Sequence, residues 1–176
     1  MRRLATAVLV PLAVLAACDR SGPGAETAPP ATTTTVAEPT TTQVTAPRTP
    51  EQVVLDDYLA GWDAVLAAIE ARHPEHPALV DLYRDDALKL TQEYIRGLVA
   101  KNWTARGTIR HEIRGVTIDG TEARVLDCTD DQYLDHDAEG RPVGQPEGRN
   151  GRDNRLRLEE GRWRTFVIYD RAETCS

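Results

Sequence analysis

One aspartate stands out as the residue best suited to chemistry. Asp127 alternates in register with the apolar Ala123 and Val125, which predicts that its carboxyl group points into the core beside a sheet. Burial among apolar neighbours raises the pKa of a carboxyl group, and a group tuned in this way can act as a general base. The alternative is structural, with Asp127 ending its strand, capping a turn or pairing with Arg155. We favour the structural interpretation and assign no catalytic residue.

The other polar clusters match metal-binding patterns poorly. The carboxylates between Asp127 and Asp137 lack the central glycine and terminal glutamate of a calcium loop, so a solvated acidic strand end is expected. His73 and His76 flank a glutamate, but Pro74 and Pro77 prevent both rings from sharing a helical face. His111 and His136 are expected at the surface. The sequence therefore predicts no metal and no cofactor.

Charge excludes one class of partner. The chain of 176 residues has 21 Lys and Arg against 28 Asp and Glu, a formal net charge of −7. A nucleic-acid-binding protein needs a basic surface for the phosphates, which this composition does not favour.

The first 17 residues are typical of an export signal. Arg2 and Arg3 precede an apolar run that is too short to span a bilayer stably. The sequence Leu15-Ala16-Ala17-Cys18 then resembles the bacterial lipobox, in which the cysteine receives a lipid. This resemblance implies extracytoplasmic anchoring to the cell membrane through Cys18. The alternative is an ordinary secretory signal that leaves Cys18 as a free thiol.

Residues 18–50 are expected to form a disordered tether. From Ser21 to Pro50 there are ten Thr and six Pro, with no aromatic residue and no Ile or Leu. Such a segment cannot bury enough apolar surface to offset the entropy lost on ordering. It would hold the folded part away from the membrane, and its Thr-rich runs are also candidates for glycosylation.

Cys128 and Cys175 remain once Cys18 is assigned to lipid. Disulfides persist in exported proteins, so we expect these two residues to form one. The alternative is a pair of free thiols. A bridge would fix the C-terminal tail to the sheet.

Residues 51–176 are expected to form a single α+β domain. A helix should begin at Thr49 and Pro50, with Gln52 completing a capping box, and two more helices should follow before Asn102. From Trp103 the apolar period changes from that of a helix to that of a strand. The predicted strands form hairpins that turn at Asp119-Gly120 and Glu160-Gly161, with a glycine-rich loop over 144–153. The N-terminal helices are expected to pack in a curved antiparallel sheet.

This order of elements resembles a known superfamily. The likeness is carried by the opening helix with Tyr58 and Trp62, by the hairpin ending Leu126-Asp127-Cys128, and by the turn Glu160-Gly161-Arg162-Trp163. It is similar to the cone-shaped fold of the nuclear-transport-factor-two-like and ketosteroid-isomerase-like superfamily. Within that superfamily it is most similar to exported actinobacterial lipoproteins.

The resemblance implies a pocket inside the cone, where isomerases of the superfamily pair a carboxyl group with tyrosines. None of the residues of this chain can be matched one by one to the catalytic pattern of those isomerases. Packing in the core is the alternative for Tyr58 and Trp62. The candidate pocket residues are Tyr58, Trp62, Tyr94, Asp127 and Arg155.

The interpretation of function has two main branches, beside a third in which the domain is an envelope spacer with no specific ligand. The first is a membrane-anchored lipoprotein whose domain is a non-catalytic binding or assembly module at the cell envelope. The second is a small-molecule-binding or isomerase-like protein that uses the cone cavity for a small apolar ligand. Apolar residues on both sides of the last strand, Trp163 with Val167 and Phe166 with Ile168, predict a second covered face. Its partner would be a second copy of the chain or another envelope protein.

Overall fold

The computed structural model describes residues 47–176, which fold as helices followed by strands. The signal segment, Cys18 and most of the tether lie outside the described residues. Within residues 47–176, no helix is long and apolar enough to cross a membrane. The helices are α1 Pro50–Glu70, α2 Pro77–Leu82 and α3 Asp85–Lys101. The strands are β1 Thr104–Arg106, β2 Ile109–Asp119, β3 Glu122–Asp131, β4 Leu134–His136, β5 Pro142–Val143, β6 Gly148–Glu159 and β7 Arg162–Asp170.

Local signals set the helix ends. The Thr49 hydroxyl accepts the Gln52 N–H at 3.3 Å, and the Gln52 side chain accepts the Thr49 N–H at 2.8 Å, so the predicted capping box is confirmed. Helix α3 ends at Asn102, which adopts the left-handed conformation with φ 56°. These features explain why the helical part was predictable from the chain alone.

The strands form two antiparallel sheets. The larger has the order β2-β3-β6-β7, and the smaller has the order β1-β4-β5. We call the face of the larger sheet that packs on α1 the inner face and the opposite one the outer face. The architecture is the α+β arrangement expected from the sequence.

The core consists of two clusters, both of which include α1. One side of α1 packs on the inner face of the larger sheet, through Val54, Tyr58 and Trp62 with Ala123, Val125, Leu156 and Trp163. The C-terminal half of α1 packs on the other two helices, through Val65 and Ile69 with Leu79, Leu82, Ile95 and Leu98. Helix α1 is therefore the element that holds the domain together.

The β2–β3 turn lies one residue later than predicted. Asp119 pairs with Glu122, so Gly120 and Thr121 make the turn, with Gly120 at φ 58°. Next to the turn, each β2 residue therefore pairs with a β3 residue two positions further along than predicted. A shift of two leaves every side chain on its predicted face of the sheet. Asp127 therefore points to the inner face, as predicted.

The prediction of a loop over 144–153 is wrong for its second half, because β6 already begins at Gly148. Gly151 pairs with Cys128 on β3, and its backbone carbonyl accepts the Arg171 N–H at 2.6 Å. A Cβ at this position would lie 1.8 Å from the Arg171 carbonyl oxygen. The glycine thus admits the C-terminal tail and does not mark a loop.

The side chains of β7 do not simply alternate between the two faces of the sheet. A bulge pairs Arg155 with Val167 and Leu156 with Thr165, and leaves Phe166 between them. Trp163 and Ile168 consequently pack on the inner side, whereas Phe166 and Val167 belong to the outer face. The predicted grouping of these four residues is therefore wrong. The outer face does carry apolar surface, including Tyr169 at 52% exposure, and its covering by a partner stays a prediction.

The disulfide joins Cys128 and Cys175, as the sequence predicts. Their Cα atoms are 5.0 Å apart across a separation of 47 residues. It fastens a short 3-10 helix, Ala172–Cys175, against β3 and β6.

Candidate functional site

The inner face holds a buried cluster of polar side chains around Asp127. The Asp127 Oδ2 atom accepts the Tyr58 hydroxyl at 2.7 Å and lies 2.6 Å from His111 Nδ1. The Oδ1 atom accepts the backbone N–H of Glu112 at 3.1 Å. Both oxygens of this fully buried carboxyl group are thus engaged. We call Tyr58, His111, Asp127 and Asn154 the Asp127 cluster.

Asn154 extends the cluster across the sheet. Its Nδ2 atom donates to the Tyr58 hydroxyl at 3.2 Å and to the Val125 carbonyl at 3.3 Å. Burial raises the pKa of Tyr58 well above its usual value, and the neighbouring Asp127 carboxylate raises it further. Tyr58 therefore stays protonated and serves as a hydrogen-bond donor.

His111 is the member of the cluster that sequence reasoning missed. We expected it at the surface, but its side chain is only 17% exposed. Its Nδ1 atom is the ring nitrogen that contacts the Asp127 carboxyl group. Strand alternation could have revealed it, because His111 lies on the inner face together with Ile109 and Ile113.

A cleft opens beside the Asp127 cluster. It has a volume of about 550 Å³, and it lies between α1, α3 and both sheets. Most of its walls are aromatic or aliphatic, formed by Trp62, Val65, Leu66, Ile69, Tyr83, Leu90, Tyr94, Ile109, Tyr133 and Leu134. Its charged side chains are Asp131, Asp135, Glu147, Arg152 and Asp170.

Trp62 connects the cleft with the Asp127 cluster. Its ring lies 5.4 Å from the His111 ring, and the Arg152 guanidinium lies 5.3 Å from the Trp62 ring centroid. Trp62 Nε1 is buried and has no hydrogen-bond partner within residues 47–176. One aromatic side chain thus contacts both the buried network and the cationic side of the cleft.

Several polar side chains of the cleft pair with one another. Asp131 accepts the Tyr133 N–H at 2.9 Å, and its other oxygen lies 3.6 Å from Arg152. Burial raises the pKa of Asp131, although the Tyr133 hydrogen bond and the Arg152 charge act against this shift. Tyr94 donates to Asp135 at 2.6 Å. Arg152 Nη2 also donates to Glu147 at 3.0 Å, so one guanidinium group lies between two carboxylates and faces the apolar wall.

The five candidate pocket residues do not share one environment. Trp62 and Tyr94 line the cleft, whereas Tyr58 and Asp127 are buried beside it and do not line it. Arg155 lies on the outer face and contacts Asp153, 3.0 Å away, so the structure separates it from the other four. The residue opposite Asp127 on β6 is Arg152. The predicted pairing of Asp127 with Arg155 is therefore wrong.

The remaining chemical candidates form no metal site. Within residues 47–176, no three His, Cys, Asp or Glu side chains converge in a way that could hold a metal ion. His73 and His76 contact each other edge to face, with ring centroids 6.3 Å apart. Asp137 instead caps a turn, because its carboxylate accepts the N–H groups of Glu139 and Arg141.

No known protein family matches the sequence, and no curated protein matches it. Several solved structures have a similar fold. The intermembrane space region of the chloroplast protein ARC6 is 14% identical, with a TM-score of 0.58, over 72% of this chain and 99% of that chain.

Two more distant structures are also similar. An NTF-2 like protein of unknown function from Shewanella oneidensis MR-1 is 10% identical, with a TM-score of 0.43, over 66% of this chain and 97% of that chain. The association domain of CaMKII from C. elegans is 13% identical, with a TM-score of 0.41, over 68% of this chain and 96% of that chain. At 14% identity, the likeness to the ARC6 region concerns the fold of helices followed by an antiparallel sheet.

Proposed function

We propose that this protein is a non-catalytic binding module at the cell envelope, and that its cleft binds a small molecule. The observation that carries the proposal is the cleft of about 550 Å³, whose walls are mainly aromatic and aliphatic. Small-molecule sites are commonly clefts of this size with apolar walls and a few polar groups that orient the ligand. Here the Asp131–Arg152 pair supplies those polar groups.

The position of Asp127 favours binding over base catalysis by this residue. A general base must come within hydrogen-bond distance of the proton that it removes. The Asp127 carboxylate is fully buried, and three polar groups already contact its two oxygens. It acts as the acceptor that holds Tyr58 and His111 in place.

The chemistry of the walls defines the ligand class. Trp62, Tyr94 and Tyr133 offer flat aromatic surfaces, and Leu90 is 61% exposed at the cleft. A ligand with a ring-shaped or otherwise compact apolar body would bury these surfaces. A single polar group on the ligand would meet Asp131 or Arg152.

Location is the second part of the proposal. A lipid on Cys18 would anchor the protein outside the cytoplasm, and the tether would separate the domain from the membrane. The disulfide between Cys128 and Cys175 supports an oxidising compartment, since such bonds are rare in the cytosol. The cleft would then sample ligands of the cell envelope.

A second candidate function is proton transfer by His111. The observation in its favour is that Asp127 orients Nδ1, as in the dyads that tune a catalytic histidine. His111 also contacts Trp62, which lines the cleft. A ligand that binds equally well to wild type and His111→Gln would favour the non-catalytic function, whereas loss of ligand turnover in His111→Gln would favour this one.

Two matched variants on α3 test the binding proposal. Leu90 lines the cleft, whereas Val99 is an exposed apolar residue of the same helix that does not line it. We expect a neutral naphthylamine dye to increase its fluorescence on binding to wild type and Val99→Lys. Leu90→Lys should weaken binding by roughly tenfold, because a charge replaces apolar contact surface.

Two results would contradict the cleft assignment. Absence of dye binding to the folded wild-type protein is one of them. Equal affinity of the dye for Leu90→Lys and Val99→Lys is the other, because it would place the dye elsewhere on the molecule.

A further inference from the structure

Three arginines converge on one buried carboxylate on the outer face of the larger sheet. Arg124 holds Asp153 with two hydrogen bonds, Nε to Oδ1 at 2.9 Å and Nη2 to Oδ2 at 2.8 Å. Arg155 Nε lies 3.0 Å from Oδ1, and Arg171 Nε lies 3.0 Å from Oδ2. We call Arg124, Arg155 and Arg171 the arginine cluster. Three cations meet two carboxylates here, Asp153 and Glu173, which leaves one positive charge of the arginine cluster unbalanced.

The backbone fixes these side chains in place. Arg124 and Arg155 lie directly opposite each other on β3 and β6, where two like charges would repel each other without Asp153 between them. Arg171 is placed by its backbone hydrogen bond to Gly151 and by the nearby disulfide at Cys175. The cluster is therefore organised before any ligand arrives, which reduces the entropy lost on binding.

A shallow groove of about 490 Å³ adjoins the cluster. Arg124 and Arg155 line one part of it, and Phe166 and Tyr169 provide aromatic surface. The β2–β3 turn adds Asp119 and Glu122. Glu173 lies 3.5 Å from Arg171 and is 71% exposed, so it stays at the solvent side of the arginine cluster. A small ligand thus meets guanidinium groups and aromatic rings in one groove.

The distribution of charge selects among anions. A phosphate monoester is a compact anion whose negative charge at neutral pH would be met by the unbalanced positive charge of the arginine cluster. Guanidinium groups bind phosphate oxygens through paired hydrogen bonds. A longer polyanion would bring further phosphates towards Asp119 and Glu122, which would repel them. The groove therefore suits a ligand with one phosphate.

We propose that the outer groove is a second binding site, for an organic phosphate monoester with an aromatic or similar flat group. The arginine cluster binds the phosphate, and the organic group packs on Phe166 and Tyr169. This site is on the opposite face of the sheet from the cleft, so it does not depend on the function proposed for the cleft.

Calorimetry with phenyl phosphate and the full-length protein at low ionic strength tests this site. We expect binding to wild type, and roughly tenfold weaker binding to Arg155→Gln, because one of three guanidinium groups is lost. Asp153 keeps Arg124 and Arg171 in that variant, so the fold should persist. The matched control is Arg149→Gln, since Arg149 lies on the same strand but pairs with Glu112 at 3.1 Å. Its affinity for phenyl phosphate should equal that of wild type.

Other ligands and a second variant test how much each part of the site contributes to binding. Phenol should bind far more weakly than phenyl phosphate if the phosphate directs binding, and inorganic phosphate should bind more weakly if the aromatic groove contributes. Replacing Cys128 and Cys175 together by Ser should weaken phenyl phosphate binding, since the tail no longer fixes Arg171.

Three results would overturn the proposal. They are no binding to wild type at millimolar phenyl phosphate, equal affinity for phenol and phenyl phosphate, and equal losses in Arg155→Gln and Arg149→Gln. A wild-type dimer that Arg155→Gln dissociates, with no effect of phenyl phosphate, would assign the groove to a second copy of the chain and overturn the proposal as well.

Discussion

At the residue scale, Asp127 shows how a buried charge becomes structural. A carboxylate buried in the core without partners would lower the stability of the fold by roughly several kcal/mol. Tyr58 and the Glu112 backbone donate to it, His111 Nδ1 lies 2.6 Å from it, and Asn154 in turn supports Tyr58. The cluster thereby ties α1 to three strands of the sheet. Its contribution is to fix the wall of the cleft.

Only part of this cluster was predictable. The inward direction of Asp127 follows from alternation within one strand, which is a local property. Its partners come from α1 and β2, and the support of Tyr58 comes from β6, so they depend on register between distant segments. Arg155 was misplaced for the same reason, because the register of β6 on β3 puts Arg152 opposite Asp127.

Removing the Tyr58 hydroxyl tests the importance of the cluster for stability. Tyr58→Phe leaves Asp127 and Asn154 each without one hydrogen-bond partner in a buried site. We expect the free energy of unfolding to fall by about 1–3 kcal/mol, measured by urea denaturation.

Tyr94→Phe is the matched control. Its hydroxyl also donates to an aspartate, Asp135, but Tyr94 is 41% exposed. Water can replace that bond, so a loss below about 1 kcal/mol is expected. Equal losses in both variants would show that burial of the Asp127 cluster adds nothing to its strength.

At the element scale, predictability follows the range of the interactions. The capping box of α1 and the Asn102 end of α3 involve neighbours in sequence, and both are evident from the chain. The first half of β6 was mistaken for a loop because its glycines are typical of turns. At Gly151 the cause is a tail that returns from the end of the chain, which no local pattern reveals. The β7 bulge likewise depends on how β6 pairs with it.

A methyl group at position 151 tests this explanation of the glycine. In Gly151→Ala the new Cβ would overlap the Arg171 carbonyl oxygen, so the tail or the strand must move. We expect a loss of about 1–3 kcal/mol in unfolding free energy, typical of overpacking. The measurement is urea denaturation of the oxidised protein.

Gly115→Ala provides the comparison, since nothing lies within 4 Å of a Cβ at that position in β2. Its unfolding free energy should be unchanged or slightly higher, because alanine reduces the freedom of the unfolded chain. If Gly151→Ala is as stable as Gly115→Ala, the tail does not constrain β6.

At the scale of the whole molecule, the sheet separates two kinds of surface. The inner face supplies the largely apolar cleft beside α1, and the outer face supplies the arginine cluster and its groove. The disulfide contributes to the outer face, because it holds the tail that carries Arg171. Changes of redox state should therefore affect phosphate binding and leave the cleft intact.

Attachment to the membrane is the property of the whole chain that the sequence predicts most specifically. Two acyl chains give stable anchoring, whereas one gives only marginal binding, so the predicted lipid at Cys18 should decide where the protein is found. We expect wild type in the membrane fraction, with a mature N-terminus that begins at a lipidated Cys18 by mass spectrometry. Cys18→Ser should be recovered without lipid and outside the membrane fraction. The double replacement of Cys128 and Cys175 by Ser should remain membrane-bound, because that bond holds only the C-terminal tail. An unmodified Cys18 in the wild-type protein would contradict the predicted lipid anchor.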